Sequence, residues 1–184
     1  MVKSGAPDPV LLVIAAFSRN KDALAWAGER LEQAFGPLAL CSIPYAFTQT
    51  SYYEASMGLG LRKGFWAFDN LVNPEILSEA KKLTNALEGQ LANQGIYPES
   101  RPLNLDPGLL SLGKFMLATT KDQAHRIYLR DGIFAEVTLR YQAGQFEAWP
   151  WTYADYRQPS VHAFFLEARD FYRRRLREVK NIKP

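Results

Sequence analysis

The sequence contains little cysteine, histidine and net charge, and each shortage argues against a class of protein. Cys41 is the one cysteine in 184 residues, so the chain cannot form a disulfide within itself, and a reducing compartment, the cytoplasm, is expected. Two histidines and one cysteine argue against a closed zinc site, and we expect no metal. The net charge of +3 falls short of the concentrated basic surface of a dedicated nucleic-acid-binding protein, so nucleic acid is a disfavoured partner.

Long apolar runs and the common catalytic motifs are also absent. The apolar run from Val10 to Phe17 is too short to cross a bilayer, and no signal-peptide cleavage site follows it. We interpret this run as a buried strand and expect no membrane association. No G-x-x-x-x-G-K-[ST], G-x-G-x-x-G, H-E-x-x-H or G-x-S-x-G motif occurs. The sequence therefore supports no conventional nucleotide hydrolase or serine or zinc hydrolase, and it leaves any cofactor unknown.

What remains is the composition of a globular protein. Hydrophobic residues make up 47% and charged residues 22%, close to the average for folded domains. A chain of 184 residues is long enough to bury one core. We therefore predict a single α+β domain over 1–184, with a core at about 10–105 and a hairpin extension and C-terminal helix at about 106–180.

Hydrophobic periodicity predicts the order strand, helix, strand, strand, helix, strand in the first part of the chain. The predicted elements are a strand from Val10, a helix ending at Gly36, strands at 38–43 and 62–71, a helix from Asn73 and Pro74 to Gly95, and a short strand at 101–105. This order predicts a ferredoxin-like βαββαβ core, in which two helices cover one face of an antiparallel sheet. Residues 106–108, Asp-Pro-Gly, are predicted to form a turn.

The second part of the chain is predicted to add an antiparallel hairpin and meander, followed by a helix at about 160–180. A three-residue loop, Arg130 to Gly132, gives the register that separates apolar from polar side chains best. It pairs Leu129 with Ile133, Ile127 with Ala135, His125 with Val137, Tyr128 with Phe134 and Arg126 with Glu136. A second turn at Ala143-Gly144 pairs Arg140 with Glu147, so one face carries alternating charge, which is typical of a solvated sheet face.

The polar segment before this hairpin is the strongest candidate for a functional site. Hydroxyl groups and an ammonium group at the end of a strand can converge on a phosphate or a carboxylate. The predicted site consists of Lys121 and Arg126 as charge partners, Thr119 and Thr120 as hydroxyl donors, His125 as general acid or base, Asp122 as its orienter, and Tyr153 and Tyr156 as walls. A histidine whose hydrogen bonds are satisfied within the core is the alternative interpretation of His125.

Two functions stay open at this point. The first is a protein that binds, and in one version acts on, a small anionic ligand carrying a phosphate or carboxylate. The second is a non-catalytic protein- or RNA-interaction module, which would use the aromatic segment 149–157 and the basic stripe of the last helix, Arg169, Arg173, Arg177 and Lys180. The sequence does not decide between enzyme and binding protein, and it does not reveal whether 48–60 and 119–126 share a pocket.

Six segments of the chain resemble a bacterial family that is known only as a domain of unknown function. The segments are "SYYEASMG", "KKLTNALE", "RPLNLDPG", "LATTKDQAHRIYL", "GIFAEVTLRY" and "WTYADYR". Similar chains carry an acidic residue before the Met-Gly and an aromatic residue after the "DPG", where this chain has Ser56 and Leu109. Some members bear a GTP-binding label, but this sequence contains no phosphate loop. The resemblance implies no established activity and assigns no catalytic residue.

Overall fold

Nine strands form one antiparallel sheet in the computed structural model, which describes residues 5–182. The strands are β1 (Val10–Ser18), β2 (Leu38–Cys41), β3 (Tyr45–Ala46), β4 (Arg62–Val72), β5 (Asn104–Leu110), β6 (Lys114–Thr119), β7 (Ile127–Arg130), β8 (Ile133–Gln142) and β9 (Gln145–Ala148). The helices are α1 (Lys21–Phe35), α2 (Glu54–Met57), α3 (Leu77–Asn93) and α4 (Pro159–Ile182). The main strand order is β2-β4-β1-β5-β6-β8-β7, with β3 beside β4 and β9 beside β8. The predicted α+β class is therefore confirmed.

Strand β1 lies inside the sheet, between β4 and β5, and joins the two larger hydrophobic cores. All nine of its residues are buried, as expected for a strand covered on both faces. Leu12 and Ile14 pack with the inner faces of α1 and α3, whereas Leu11 and Val13 pack with the inner face of α4. Because successive side chains of a strand point to opposite faces, one apolar run supplies both cores.

Helix α4 covers the second face of the sheet with one apolar stripe. Val161, Phe165 and Tyr172 of this stripe are buried. Part of the opposite, basic stripe makes contacts within the protein, because Arg169 donates to the Leu112 carbonyl and Arg173 forms an ion pair with Asp170. None of the helices within residues 5–182 combines the length and the apolar character that crossing a membrane requires.

The prediction of a turn at Asp106-Pro107-Gly108 is wrong, because these residues lie inside β5, which begins at Asn104 rather than at 101. Pro107 lies opposite Ile14 of β1, but β6 pairs with β5 only from Gly108 onward. A proline, which has no N–H to donate, is tolerated where one side of a strand has no partner. Gly108 allows close approach, since a Cβ there would lie 2.4 Å from the Phe115 ring.

The predicted hairpin register is correct for two pairs, wrong beside the turn, and not formed at His125 and Arg126, because β7 begins only at Ile127. Ile127 pairs with Ala135 and Tyr128 with Phe134, as predicted, but Ile133 pairs with Arg130 because Leu129 is bulged. The loop therefore has two residues, Asp131 and Gly132, both with positive φ (54° and 75°), which matches the twist of the strands. The predicted apolar face is buried on β8, where Ile133 is 3% exposed, but not on β7, an edge strand on which Ile127 is 72% exposed.

We predict that Gly108→Ala destabilises the protein and that Gly89→Ala does not. The new Cβ at Gly108 would overlap the Phe115 ring and the Met116 carbonyl oxygen, so the free energy of unfolding should fall by about 1 to 3 kcal/mol. Gly89 lies within α3 with no atom near its Cβ position, so alanine there should stabilise the helix by about 0.4 to 1 kcal/mol. Urea denaturation measures both changes, and equal effects of the two substitutions would contradict the packing argument.

Candidate functional site

The sheet opens between β5 and β6, and this opening creates the candidate site. The two strands pair only over Gly108–Leu110 and Phe115–Leu117, although both continue beyond these segments. Two side chains of α3 take the place of the missing strand, because Leu105 donates its N–H to Glu88 at 2.7 Å and accepts from the Lys81 ammonium at 3.1 Å. Side chains contact a strand at separate points, so a hollow stays open beside them.

A cavity of about 490 Å³ occupies this opening. Its floor comes from the sheet and α3, and three further segments form its walls. These segments are the end of β6 with the following residues up to Arg126, the connection between β3 and β4, and the 3₁₀ helix Ala154–Arg157 with the residue before it. Thr50, Tyr52 and Tyr53 line the same cavity as Thr119 to Lys121, so the regions 48–60 and 119–126 share one pocket.

Six of the eight predicted site residues line this cavity, namely Thr119, Thr120, Lys121, Arg126, Tyr153 and Tyr156. The two predicted catalytic residues do not line it. His125 lies on a smaller hollow of about 180 Å³, where its ring stacks on Trp151 with centroids 5.1 Å apart. The imidazole Nε2 lies 3.1 Å from Glu136, and Asp122, the predicted orienter, is exposed. The geometry therefore pairs His125 with Glu136 rather than with Asp122.

Glu136 connects the small hollow with the cavity. It is only 3% exposed and accepts a hydrogen bond from Arg126 Nε at 2.8 Å. Arg126 in turn donates to the Lys121 carbonyl at 3.0 Å and to the Tyr153 hydroxyl at 3.1 Å. Arg126 and Glu136 form an ion pair, but Arg126 lies before β7 rather than on a strand, and the pair is buried rather than solvated as predicted. The guanidinium of Arg126 is thus neutralised, and its three contacts hold two walls of the cavity together.

The basic side chains of the cavity differ in whether a carboxylate neutralises them. Four ion pairs occur, Lys63 with Asp155 at 2.6 Å, Lys81 with Asp106 at 3.0 Å, Arg101 with Glu88 at 2.9 Å, and Arg126 with Glu136 at 2.8 Å. Lys121 instead donates to the Tyr52 hydroxyl at 3.1 Å and forms no ion pair in the described part of the chain. The floor is therefore electrically balanced, and the excess positive charge lies with Lys121, which is exposed.

Ionisation in the cavity follows from burial and from these pairs. Burial alone would raise the pKa of Asp106, but the ammonium groups of Lys81 and Lys63 outweigh it and hold that pKa below its ordinary value. Burial raises the pKa of Glu88 despite its neighbours Lys81 and Arg101. Burial, with the negative charge of Asp155, keeps the pKa of Tyr156 well above its usual value, so this phenol stays protonated.

The sequence prediction missed the polar residues of the floor. Lys63, Lys81, Asp106 and Asp155 line the cavity, and none of them was among the predicted site residues. Lys63 had a detectable signal, because it shares the period-2 face of β4 with Phe65 and Ala67, where an apolar residue is expected. Asp155 pairs with Lys63, whereas the side chain of its sequence neighbour Arg157 donates to backbone carbonyls of Trp149, Pro150 and Thr152.

The described residues 5–182 contain no group of three His, Cys, Asp or Glu side chains that could hold a metal ion. Fold and site together define an α+β protein with one antiparallel sheet that opens around a charged cavity. The chain belongs to the family described as "Domain of unknown function (DUF4416)", whose sequence model matches residues 8–172. Comparison with curated proteins found no match, and comparison with solved structures found none either.

We predict that Glu136→Gln destabilises the protein far more than Glu147→Gln. The first substitution leaves the buried guanidinium of Arg126 without its countercharge, which should lower the free energy of unfolding by about 3 to 5 kcal/mol. The second removes the partner of Arg140 in a pair that water reaches, so the loss should stay below about 1 kcal/mol. Urea denaturation of the two variants supplies the comparison, and a small loss at Glu136 would refute the role of its buried pair.

A second prediction concerns the contact between Lys121 and Tyr52. The hydrogen bond from Lys121, and then its charge, lower the pKa of Tyr52 because both stabilise the phenolate. In Lys121→Ala, we expect the pKa of Tyr52 to rise toward the ordinary tyrosine value. Ultraviolet absorbance of the phenolate during a pH titration measures this change, with Tyr52→Phe identifying the signal. Superimposable titration curves of the wild type and Lys121→Ala would show that the contact is absent in solution.

Proposed function

We propose that the protein binds a small anionic ligand, carrying a phosphate or a carboxylate, in the cavity between β5 and β6. The observation that carries this proposal is the charge of Lys121, since a carboxylate neutralises each other basic residue of the cavity. The exposed ammonium of Lys121 attracts an anion to the mouth of the cavity, and the floor does not repel the anion because its charges are paired. The hydroxyl groups of Thr119 and Thr120 lie in the same wall and are suitable donors to anionic oxygens.

The size and the walls of the cavity support a small molecule as the ligand. A volume of about 490 Å³ falls within the range of ordinary ligand pockets. Tyr52, Tyr53 and Tyr153 supply aromatic surface at the walls, and the protonated Tyr156 hydroxyl has no hydrogen-bond partner within residues 5–182. A ligand of this kind would therefore combine an anionic group with a less polar body.

Catalysis by His125 stays a prediction, as does a role for Asp122, although the contact that orients the imidazole comes from Glu136. The imidazole faces the small hollow, and its contact with the cavity runs through Glu136. Binding of an anion does not require catalysis by His125. A measurement of anion affinity therefore tests the binding hypothesis without testing the catalytic one. The cytoplasmic location expected from the single cysteine likewise stays a prediction.

We also propose that residues 10–110 form the ferredoxin-like core expected from the sequence. The order β2-β4-β1-β5, with each neighbouring pair antiparallel, is what two interleaved βαβ units produce. Helices α1 and α3 contribute to the same hydrophobic core on one face, which agrees with this arrangement.

The alternative function is a non-catalytic interaction module. One observation favours it, because edge strand β7 exposes Ile127, Tyr128 and Leu129 in succession. Exposed apolar residues on an edge strand are a feature of surfaces that bind another protein. RNA is less well supported, since Arg169 and Arg173 of the basic stripe already have partners within the protein. If this alternative is correct, no small anion will stabilise the fold.

The proposal predicts that an anion raises the melting temperature and that Lys121→Ala abolishes the rise. At a hundred times its dissociation constant, a ligand adds about 2.7 kcal/mol. This corresponds to about 5 to 10 °C in a chain of this size. Thermal denaturation with inorganic phosphate, sugar phosphates, nucleotides and small carboxylates, each with and without magnesium, tests it. Lys21→Ala is the matched control, because Lys21 is an exposed lysine outside the cavity and its removal should preserve the rise.

A further inference from the structure

Lys63 is a buried lysine on the face of β4 that borders the cavity. It is 4% exposed, and its one hydrogen bond to residues 5–182 goes to Asp155 at 2.6 Å. Four aromatic rings surround the ammonium group, with centroids 4.7 to 5.8 Å from Nζ; they belong to Phe17, Phe47, Phe65 and Tyr156. The same side chain lines the cavity, so a ligand inside it meets an amine in largely apolar surroundings.

The ion pair of Lys63 ties the 3₁₀ helix to β4, but this lysine does not complete the hydrogen bonding of a strand as Lys81 does. Lys81 completes the open hydrogen bonding of β5 through the Leu105 carbonyl and also pairs with Asp106. Within residues 5–182 Lys63 donates to no backbone group, and its surroundings are four aromatic rings and the charge of Asp106. Replacing a buried ion pair by apolar residues of similar volume is often neutral or stabilising, so stability alone gives little reason for a charge here. A charged side chain that lines a cavity is among the few polar groups that can act on a ligand there.

Lys63, Asp155 and Tyr45 have the arrangement of an activated nucleophile. The Asp155 carboxylate lies within hydrogen-bonding distance of the amine, and the Tyr45 hydroxyl donates to the same carboxylate oxygen at 3.2 Å. A nucleophile, an adjacent base and a third group that orients the base form the general pattern of covalent catalysis. Burial is a condition under which a lysine amine serves as the nucleophile, and Lys63 is buried.

From this geometry we propose that Lys63 forms an imine with an aldehyde or ketone group of the anion bound in the cavity. The proposal rests on the proposed function for the anionic group of the ligand and adds the carbonyl as its second feature. It assigns Lys63 as the nucleophile, Asp155 as the proton acceptor and Tyr45 as the positioning residue for Asp155.

The reaction needs no reagent beyond the amine and the carbonyl. The Lys63 ammonium transfers one proton to Asp155, and the nitrogen lone pair then forms a bond to the carbonyl carbon. The carbonyl π electrons move to the oxygen, which receives the proton from Asp155. A second proton from nitrogen follows by the same path, the carbon–oxygen bond breaks, and water leaves. The third proton stays on the iminium nitrogen, so the positive charge and the Asp155 carboxylate are both restored.

Reductive trapping with glyoxylate tests this inference on the full chain. Glyoxylate carries an aldehyde and a carboxylate, and cyanoborohydride converts an imine into a stable secondary amine by hydride transfer. Peptide mapping by mass spectrometry then locates the adduct. We expect modification of Lys63 ahead of the exposed lysines Lys21, Lys82 and Lys114. Adducts confined to exposed lysines, in protein with an unchanged melting temperature, would overturn the proposal without any variant.

Three variants separate the chemistry from a structural role. Lys63→Arg keeps the positive charge and should abolish the adduct at this position, whereas Lys114→Arg, at an exposed lysine outside the cavity, should leave the labelling of Lys63 unchanged. Asp155→Asn should slow that labelling by about a hundredfold, the lower range for loss of a general base. If labelling of Lys63 in Asp155→Asn proceeds at the wild-type rate, Asp155 is not the proton acceptor. The melting temperature of each variant shows that it is folded.

Different measurements test the anion site and the formation of the imine. Thermal denaturation with acetate and with inorganic phosphate, which contain no aldehyde or ketone, reports on the anion site alone. A stabilising effect of either anion without an adduct at Lys63 would leave the proposed function intact and remove the imine. An adduct at Lys63 without stabilisation by any anion would keep the imine and remove the anion site.

Discussion

Two charged side chains of α3 complete the hydrogen bonding of β5 where no strand lies beside it. Glu88 accepts a hydrogen bond from the N–H of Leu105, and Lys81 donates one to the Leu105 carbonyl. The backbone of Leu105 is therefore fully hydrogen-bonded although β6 has moved away from β5. A buried backbone group without a partner costs about 1 to 3 kcal/mol, so the opening requires such substitutes. A strand would fill the space along its whole length, whereas two side chains meet β5 only at points. The cavity therefore exists because two side chains, rather than a strand, form the hydrogen bonds to this part of β5.

The ion pairs around the cavity follow from the same opening. Once Lys81 and Glu88 carry charge into the interior, each needs a countercharge, and Asp106 and Arg101 supply it. Pairing makes the floor neutral overall but keeps it rich in donors and acceptors. Lys121 lies at the exposed mouth, where water lowers the cost of an unpaired charge. This distribution gives the cavity a positive mouth and a balanced floor, which is the basis of the proposed anion site.

Local patterns predicted most strands and helices, and their limits are visible at particular residues. Side-chain alternation revealed the pairing of Ile127 with Ala135 and of Arg140 with Glu147, because a one-residue shift would exchange the faces. The Asp-Pro-Gly segment was misassigned as a turn. Proline and glycine are common in turns, but proline also occurs where a strand edge is open, and glycine where another group packs closely. Which of these uses applies depends on β6, which a local pattern does not include.

The predicted site was most complete where its residues are close in sequence. Thr119 to Lys121 and Arg126 form one segment, and they reach the cavity together. Partners distant in sequence were missed, such as Asp155, which lies 92 residues from Lys63. Asp122 was paired with His125 because it is near in sequence, whereas β8 brings Glu136 to that ring. Long-range contacts of this kind follow from strand order, which periodicity does not determine.

The cavity is lined by residues from both the core and the extension that were predicted from the sequence. Its floor includes Lys63 and Asp106 on neighbouring parts of the sheet, but Glu136 of β8 holds the segment that carries Lys121. The 3₁₀ helix that contributes Asp155 lies after β9 and is tied to β4 through Lys63. Removing the extension would therefore take away the positive mouth and the partner of Lys63 together. For this reason the candidate site requires residues of both the core and the extension.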